Sequence, residues 1–237
     1  MSLTLTIDQG HSHPHLGVFL MGELKEVHPL YEFVENKKEL ISDSTVVLSN
    51  VTEKKLFQEN RPTNLINISE LKKKESFLSM PYKYSEQLGE DRISLAYYVY
   101  KEWIKKKSTK RILVVDAGTF TTVDLVTTNG FEGGYILPGV QTFLNCYSTG
   151  DHLPKLEASE LTSISKTLPA NTNQAILQAT ALYSSSIIES IKKRCSPDLI
   201  ILTGGHGQKL MDENTRPYHF DSHLIHKALF LISQEAR

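Results

Sequence analysis

Only two cysteines, Cys146 and Cys195, occur in 237 residues, too few for a disulfide framework or a thiolate zinc site. Neither lies in a basic or histidine pattern that would argue for a nucleophile, so both are expected to be inert. An excess of one charge is also lacking: 26 Lys and Arg against 27 Asp and Glu leave a net charge of −1. That balance gives no electrostatic footing for nucleic acid or an anionic membrane, and neither partner is expected. No apolar run is long enough to span a bilayer. The opening MSLTLTIDQG has no basic stretch and reaches Asp8 before an apolar segment can form, so the expected compartment is the cytoplasm. What is present, 40% hydrophobic and 22% charged residues, is an ordinary globular composition, with length for two domains of about 100–130 residues.

The chain repeats one pattern. Leu3 to Ile7 is an extended run that ends at Asp8-Gln9-Gly10, and a second β-like run follows from Leu16 to Met21. Arg111 to Val115 likewise ends at Asp116-Ala117-Gly118, and Val123 to Thr127 follows. Each copy then meets a further turn, Gly22-Glu23 and Asn129-Gly130, before another extended stretch. Thr45–Ser49 and Asn64–Ser69 read as short buried strands of the first half, with Asp198–Leu202 and Tyr218–Asp221 as their partners in the second. Helices are predicted over Ile93–Lys107 and Asn171–Arg194; the latter brings Ile176, Ala179, Tyr183, Ile187 and Ile191 near one face. Two copies of a βββαβ-type unit, divided near Ser108, account for this order.

A glycine just after a strand lets backbone amides approach an anion, and turn amides form a natural phosphate cradle. Ser12 and Thr119 supply a hydroxyl near each turn. An aspartate at the strand end can hold magnesium, directly or through water. Two such loops facing each other would clamp a polyphosphate, and phosphoryl transfer asks little more of a protein than positioning and charge neutralisation. One Asp-x-Gly carries no weight, because strand-end aspartates commonly form hairpins; the duplicate in the same context does. The strand Leu199 to Leu202, ending at Thr203-Gly204-Gly205, offers a third close-approach loop.

Six motifs occur in one order: Ile7-Asp8-Gln9-Gly10, Gly89-Glu90-Asp91-Arg92, Val115-Asp116-Ala117-Gly118-Thr119, Gly133-Gly134-Tyr135-Ile136-Leu137-Pro138-Gly139, Asn171-Thr172 and Thr203-Gly204-Gly205. Together, over residues 5–207, they resemble type III pantothenate kinase, of the acetate and sugar kinase/Hsp70/actin superfamily. The resemblance implies an α/β fold of two duplicated ribonuclease H-like (actin-like ATPase) domains, 1–107 and 108–237, with mixed sheets and a central cleft. It implies ATP-dependent phosphorylation of pantothenate to 4'-phosphopantothenate, the first step toward coenzyme A, by a homodimer. Carried over by position, Asp8, Gln9, Gly10, His11, Ser12, His13, Pro14 and His15 would form the first phosphate loop, with Thr119, Gly204 and Gly205 as further ATP contacts. Asp91 would be the general base. Tyr82, Gly89, Glu90, Asp91 and Arg92 would meet pantothenate, and Thr172 would complete that site across the dimer. Asp116 would bind the family's monovalent cation, potassium or ammonium, while magnesium would accompany ATP.

The first loop departs from the family's usual Asp-x-Gly-Asn-Thr: His11 and Ser12 stand where asparagine and threonine are common. Its His11-Ser12-His13-Pro14-His15 run also admits a zinc reading, because alternate strand residues share a face. A metal hydrolase barrel needs a longer chain and further ligands at later strand ends, so the phosphate-loop reading is preferred. Two other readings keep the fold: a kinase for another acceptor, such as a sugar or a carboxylate, and a non-catalytic regulatory relative of the accessory transcription factor type. Retention of Asp8, Asp91, Asp116 and Thr119 argues against the second.

Overall fold

Leu3-Thr4-Leu5-Thr6-Ile7 alternates aliphatic and hydroxyl residues, the period of a strand whose two faces meet different surroundings. The computed structural model, which describes residues 3–57, 61–85, 87–207 and 218–236, makes it the centre of a sheet. The first half runs β1 (Leu3–Gln9), β2 (His15–Leu20), β3 (Glu23–Pro29), α1 (Leu30–Asn36), α2 (Lys38–Ser42), β4 (Thr45–Asn50), β5 (Asn64–Asn67) and α3 (Ile68–Leu71). A two-residue pair, β6 (Ser76–Phe77) and β7 (Met80–Pro81), precedes α4 (Glu90–Val99). The second half runs β8 (Arg111–Ala117), β9 (Phe120–Thr127), β10 (Gly130–Pro138), α5 (Val140–Asn145), α6 (Thr172–Cys195), β11 (Leu199–Thr203), β12 (Tyr218–Phe220) and α7 (Leu224–Glu235).

The two large sheets have the same strand order, β3-β2-β1-β4-β5 and β10-β9-β8-β11-β12. In the first, β1 is antiparallel to β2 and parallel to β4, so the sheet is mixed. In the second, β11 lies parallel to both β8 and β12. The duplicated α/β architecture is therefore present at the level of topology.

The chain divides into two units less simply than a single cut after residue 107. The first holds 1–108, the turn segment 126–133 and the C-terminal 223–237; the second holds 109–125 and 134–222. In the first unit Leu5, Ile7, Leu16, Val46 and Leu48 pack with Leu30, Phe33 and Ile41 of α1 and α2 on one face of the sheet. The opposite face, with Thr6 and Phe19, is covered by α4 and α7; Phe19 stacks on Phe230 at 4.4 Å. The second unit's core joins Leu113, Val115, Ile200 and Leu202 to Val140, Leu144, Ile176, Ile188 and Ile191.

The helix expected over Ile93–Lys107 begins earlier, at Glu90, and its last stretch, Tyr100–Lys105, is wound as a π-helix. The long helix starts one residue after its cap, Asn171, whose Oδ1 accepts from Gln174 N at 3.0 Å. Its buried stripe is Ile176, Thr180, Ser184, Ile188 and Ile191, rotated from the expected one, and Ala179 is exposed. Among the described residues no helix is long and apolar enough to cross a membrane.

Candidate active site

Asp8 sits near the end of β1, paired with His15 of β2 on one side and Ser49 of β4 on the other. Cross-strand partners share a face of the sheet, so His15, Asp8 and Ser49 form a row. His15 Nε2 stands 3.7 Å from Asp8 Oδ2. Burial, then the charges of His223 and His13, hold the His15 ring below its ordinary pKa. Gln9 turns to the other face, where its Nε2 donates to Lys54 O at 3.1 Å. Residues 10–14 follow as a loop exposed at His11, Ser12 and His13, and a methyl group on Gly10 would meet nothing within 4 Å. The space beside Gly10 is thus open.

The start of α4 is fixed to the same end of the sheet. Glu90 Oε2 accepts from Asn50 N at 2.9 Å, and Asn50 is the partner of Gln9 across β1 and β4. The next residue, Val51, donates its amide to Gln9 O at 3.3 Å. Asp91 Oδ1 accepts from Arg92 N at 2.7 Å, the placement that a helix N-terminus favours for an anion. A methyl on Gly89 would lie 2.5 Å from that oxygen, so the glycine lets the carboxylate fold over the helix start. Burial raises the Asp91 carboxyl above its ordinary pKa; the Arg92 amide, the Arg92 charge and the charge of His11 oppose the rise. Burial likewise raises Glu90, against the Asn50 amide and Lys72.

Two proposed acceptor residues are engaged within the first unit. The Tyr82 hydroxyl donates to Lys73 O at 2.6 Å, and its side chain is buried. The Arg92 guanidinium is buried too, 5.4 Å from the Tyr84 ring centre and 5.8 Å from that of Phe131.

In the second unit Asp116 of β8 pairs with Thr203 of β11, which leads into Gly204. A methyl on Gly204 would come within 2.6 Å of Asp116 Oδ1 and of the Ala117 backbone, and its φ of +85° lies in the region that glycine favours. Gly205 is open, with nothing within 4 Å of such a methyl. Thr119 lies in the turn between β8 and β9, where its carbonyl accepts from Gly139 N at 3.0 Å. Thr172 is exposed at the first position of α6. The structure therefore gathers Asp8–His15 with Gly89–Arg92 in one unit, and Asp116 with Gly204 in the other.

The sequence reading did not include Ser49, Asn50 and His226, which surround the first cluster. Ser49 and Asn50 could have been found as the polar end of a second parallel strand; His226 had no sequence signal. Among the described residues no group of three or more His, Cys, Asp or Glu is placed to hold a metal ion.

A family model described as type III pantothenate kinase matches residues 4–194. The type III pantothenate kinase of Phocaeicola vulgatus is 30% identical over 218 residues, which cover 86% of each chain. That of Colwellia psychrerythraea is 30% identical over 229 residues, covering 88% of this chain and 87% of the relative. Among solved structures, a Campylobacter jejuni protein described as a conserved Baf family transcriptional activator superposes with a TM-score of 0.68 at 23% identity, over 98% of both chains. A ROK hexokinase from Thermus thermophilus superposes with a TM-score of 0.52 at 14% identity, over 99% of this chain and 100% of that one. At such identities these two likenesses speak for the fold alone, one shared with the ROK hexokinase.

Proposed function

The chain belongs to the type III pantothenate kinase family, and we propose that it phosphorylates the primary hydroxyl of pantothenate at the expense of ATP. The observation that carries this reading is the fastening of α4 to the ends of β1 and β4, which sets Asp91 at the end of β1 from which loop 10–14 leaves. The proposed proton acceptor and the open glycine of the first loop then share one end of one sheet.

In the proposed reaction Asp91 accepts the hydroxyl proton as the alcohol oxygen bonds to the γ-phosphorus. The bond from that phosphorus to the β,γ-bridging oxygen breaks, and ADP leaves with the electron pair. The raised pKa of Asp91 suits this work, because a buried carboxylate is a stronger base than a solvated one. Arg92 supplies a positive charge and a planar fork for the acceptor's carboxylate. Tyr82 joins the acceptor contacts only if its hydroxyl leaves Lys73 O.

Asp8 through His15, with Thr119, Gly204 and Gly205, are assigned to ATP. Magnesium prefers oxygen ligands and keeps much of its water, and the half-buried Asp8 carboxylate beside an open glycine fits such an ion; bound there it would neutralise phosphate charge. Asp116 is the oxygen donor proposed for potassium or ammonium. A homodimer is proposed through the exposed side of α6, where Ala175, Ala179, Leu182 and Ser186 share a face and Thr172 begins the helix. Cytoplasmic action accords with these substrates.

Coupled ADP release tests the reading. Turnover with pantothenate, dependent on a monovalent cation and absent with glucose or acetate, is expected. ADP release with a sugar alone would move the assignment to another acceptor, and ATP binding without turnover on any acceptor would favour a regulatory protein.

A further inference from the structure

Beneath the first phosphate loop lies a buried polar layer that neither the loop nor the base accounts for. It occupies the face of the first sheet covered by α4 and α7. His226 of α7 is 1% exposed and reaches Thr6 Oγ1 with its Nδ1, at 2.8 Å. A methyl on Gly17 would come within 2.8 Å of that imidazole, so β2 carries glycine where the ring rests. The His15 and His226 rings stand 4.8 Å apart at 58°.

Thr6 Oγ1 is within reach of Gly17 O at 3.3 Å as well as His226 Nδ1 at 2.8 Å; with its proton on the carbonyl, its oxygen accepts from His226 Nδ1–H. His226 Nε2 is left as a lone pair. His15 turns its Nε2 edge toward Asp8 Oδ2 at 3.7 Å, longer than a hydrogen bond; a proton on that nitrogen, the one nearer the carboxylate, leaves Nδ1 as a second lone pair. Both nitrogens are buried without a hydrogen-bond partner among the described residues, and the hydroxyls of Ser49 and Ser94 share that condition. Burial, with His15 and His223 nearby, brings the pKa of His226 down to about 3, so protonation does not supply the missing donor.

Two buried nitrogens left without a hydrogen-bond partner are costly. A water molecule removes that cost, because it carries two donors and takes such sites routinely, at about one buried water per 27 residues. We propose that a buried water molecule joins His226 Nε2 to His15 Nδ1, and that through this link His226 is a positioning residue for Asp8. The water would keep the His15 ring from turning over, which keeps its Nε2 edge facing Asp8 Oδ2, the carboxylate proposed for the nucleotide's magnesium. The C-terminal helix thereby supports a loop more than 200 residues away in sequence. The inference rests on the assignment of Asp8 to nucleotide binding and is independent of the acceptor.

The test is calorimetric titration of the full chain with ATP and magnesium. His226→Leu removes both nitrogens at similar volume and is expected to weaken binding about 10- to 100-fold, the usual effect of losing an outer partner of an ion ligand. His226→Gln, whose amide oxygen reaches the place of Nε2, is expected to recover most of that loss. A crystal structure of the wild type should show a water within about 3 Å of both nitrogens. Binding within twofold of wild type for His226→Leu, or a glutamine variant as weak as the leucine one, would overturn the proposal. So would a structure in which the two rings bond directly or the space is dry; that structure decides the matter if His226→Leu does not fold. A wild type that binds ATP but leaves pantothenate untouched would remove the acceptor reading alone. A wild type that binds no ATP would overturn both.

Discussion

Replacing Asp91 with Asn separates the chemistry of this carboxylate from its place in the fold. The substitution keeps an oxygen where Asp91 Oδ1 accepts from Arg92 N at 2.7 Å. It removes a negative charge from a helix N-terminus, which costs about 0.3–1 kcal/mol. It also removes the burial penalty that raises the carboxyl's pKa, an effect of opposite sign. Stability should therefore change by less than about 1 kcal/mol, or about 2–4 °C in Tm for a chain of this size. Turnover has no such compensation: losing a general base costs about 10²–10⁴-fold, near 3–5 kcal/mol of barrier. Coupled ADP release should show that loss in kcat, while calorimetry shows ATP binding within a few-fold of wild type. The sign of the pH dependence follows from the raised pKa. The base works deprotonated, so wild-type activity should fall with decreasing pH through a value above the ordinary aspartate range, and Asp91→Asn should lack that limb. A variant that turns over pantothenate at near wild-type rate would refute the role. Loss of folding and ATP binding together would make Asp91 a structural residue of the α4 start.

Three further outcomes are expected. His11→Asn should tighten ATP binding by about two- to tenfold, the net worth of one hydrogen bond, and should move the acid limb of the pH–rate profile upward, because His11's charge helps hold Asp91 ionised; ATP affinity unchanged from about pH 6 to 8, a span chosen to cross histidine titration, would detach position 11 from the nucleotide. Gly204→Ala should cost more than about 2 kcal/mol in urea denaturation, because its methyl would press within 2.6 Å of the Ala117 backbone at φ +85°; a midpoint equal to wild type would contradict that packing. Leu182→Glu should turn a dimer into a monomer in light scattering, since Leu182 is 48% exposed on α6; a monomeric wild type at micromolar concentration would remove Thr172 from the acceptor site.

The strand-end aspartates were legible because their signal is local. A run of four or five aliphatic or hydroxyl residues, an aspartate and a glycine two places on define a strand and its exit, and Asp8 and Asp116 lie where that pattern puts them. The bounds of α6 were legible for the same reason, since Asn171 is a side-chain cap. What covers each face was not. An alternating Leu-Thr strand reads the same whether its hydroxyl face is wet or lies under helices, and here Thr4 and Thr6 are buried. The return of residues 223–237 to the first unit depends on contacts across more than 200 positions, such as Phe19 with Phe230. His226 could not be picked from nine histidines, because its environment is made by Thr6 and Gly17.

The two copies share a strand order and differ in their first turns, and that difference bears on the chemistry. In the second copy β8 and β9 are joined by Gly118 and Thr119 alone. Gly118 N donates to Phe120 O at 3.2 Å, and the Thr119 carbonyl accepts from Gly139 N, so this turn's backbone is committed to its own unit. A methyl on Gly139 would strike Gly118 O at 2.2 Å, which leaves no slack for the turn to reshape around a ligand. The first copy spends residues 10–14 on the same connection and leaves Gly10 open. A tight turn can present one side-chain hydroxyl at a fixed place, whereas a longer loop can wrap successive amides around phosphate oxygens. Duplication thus supplied two strand-end aspartates, and the change in turn length separates their proposed tasks, Asp8 with the phosphates and Asp116 with a cation beside Gly204.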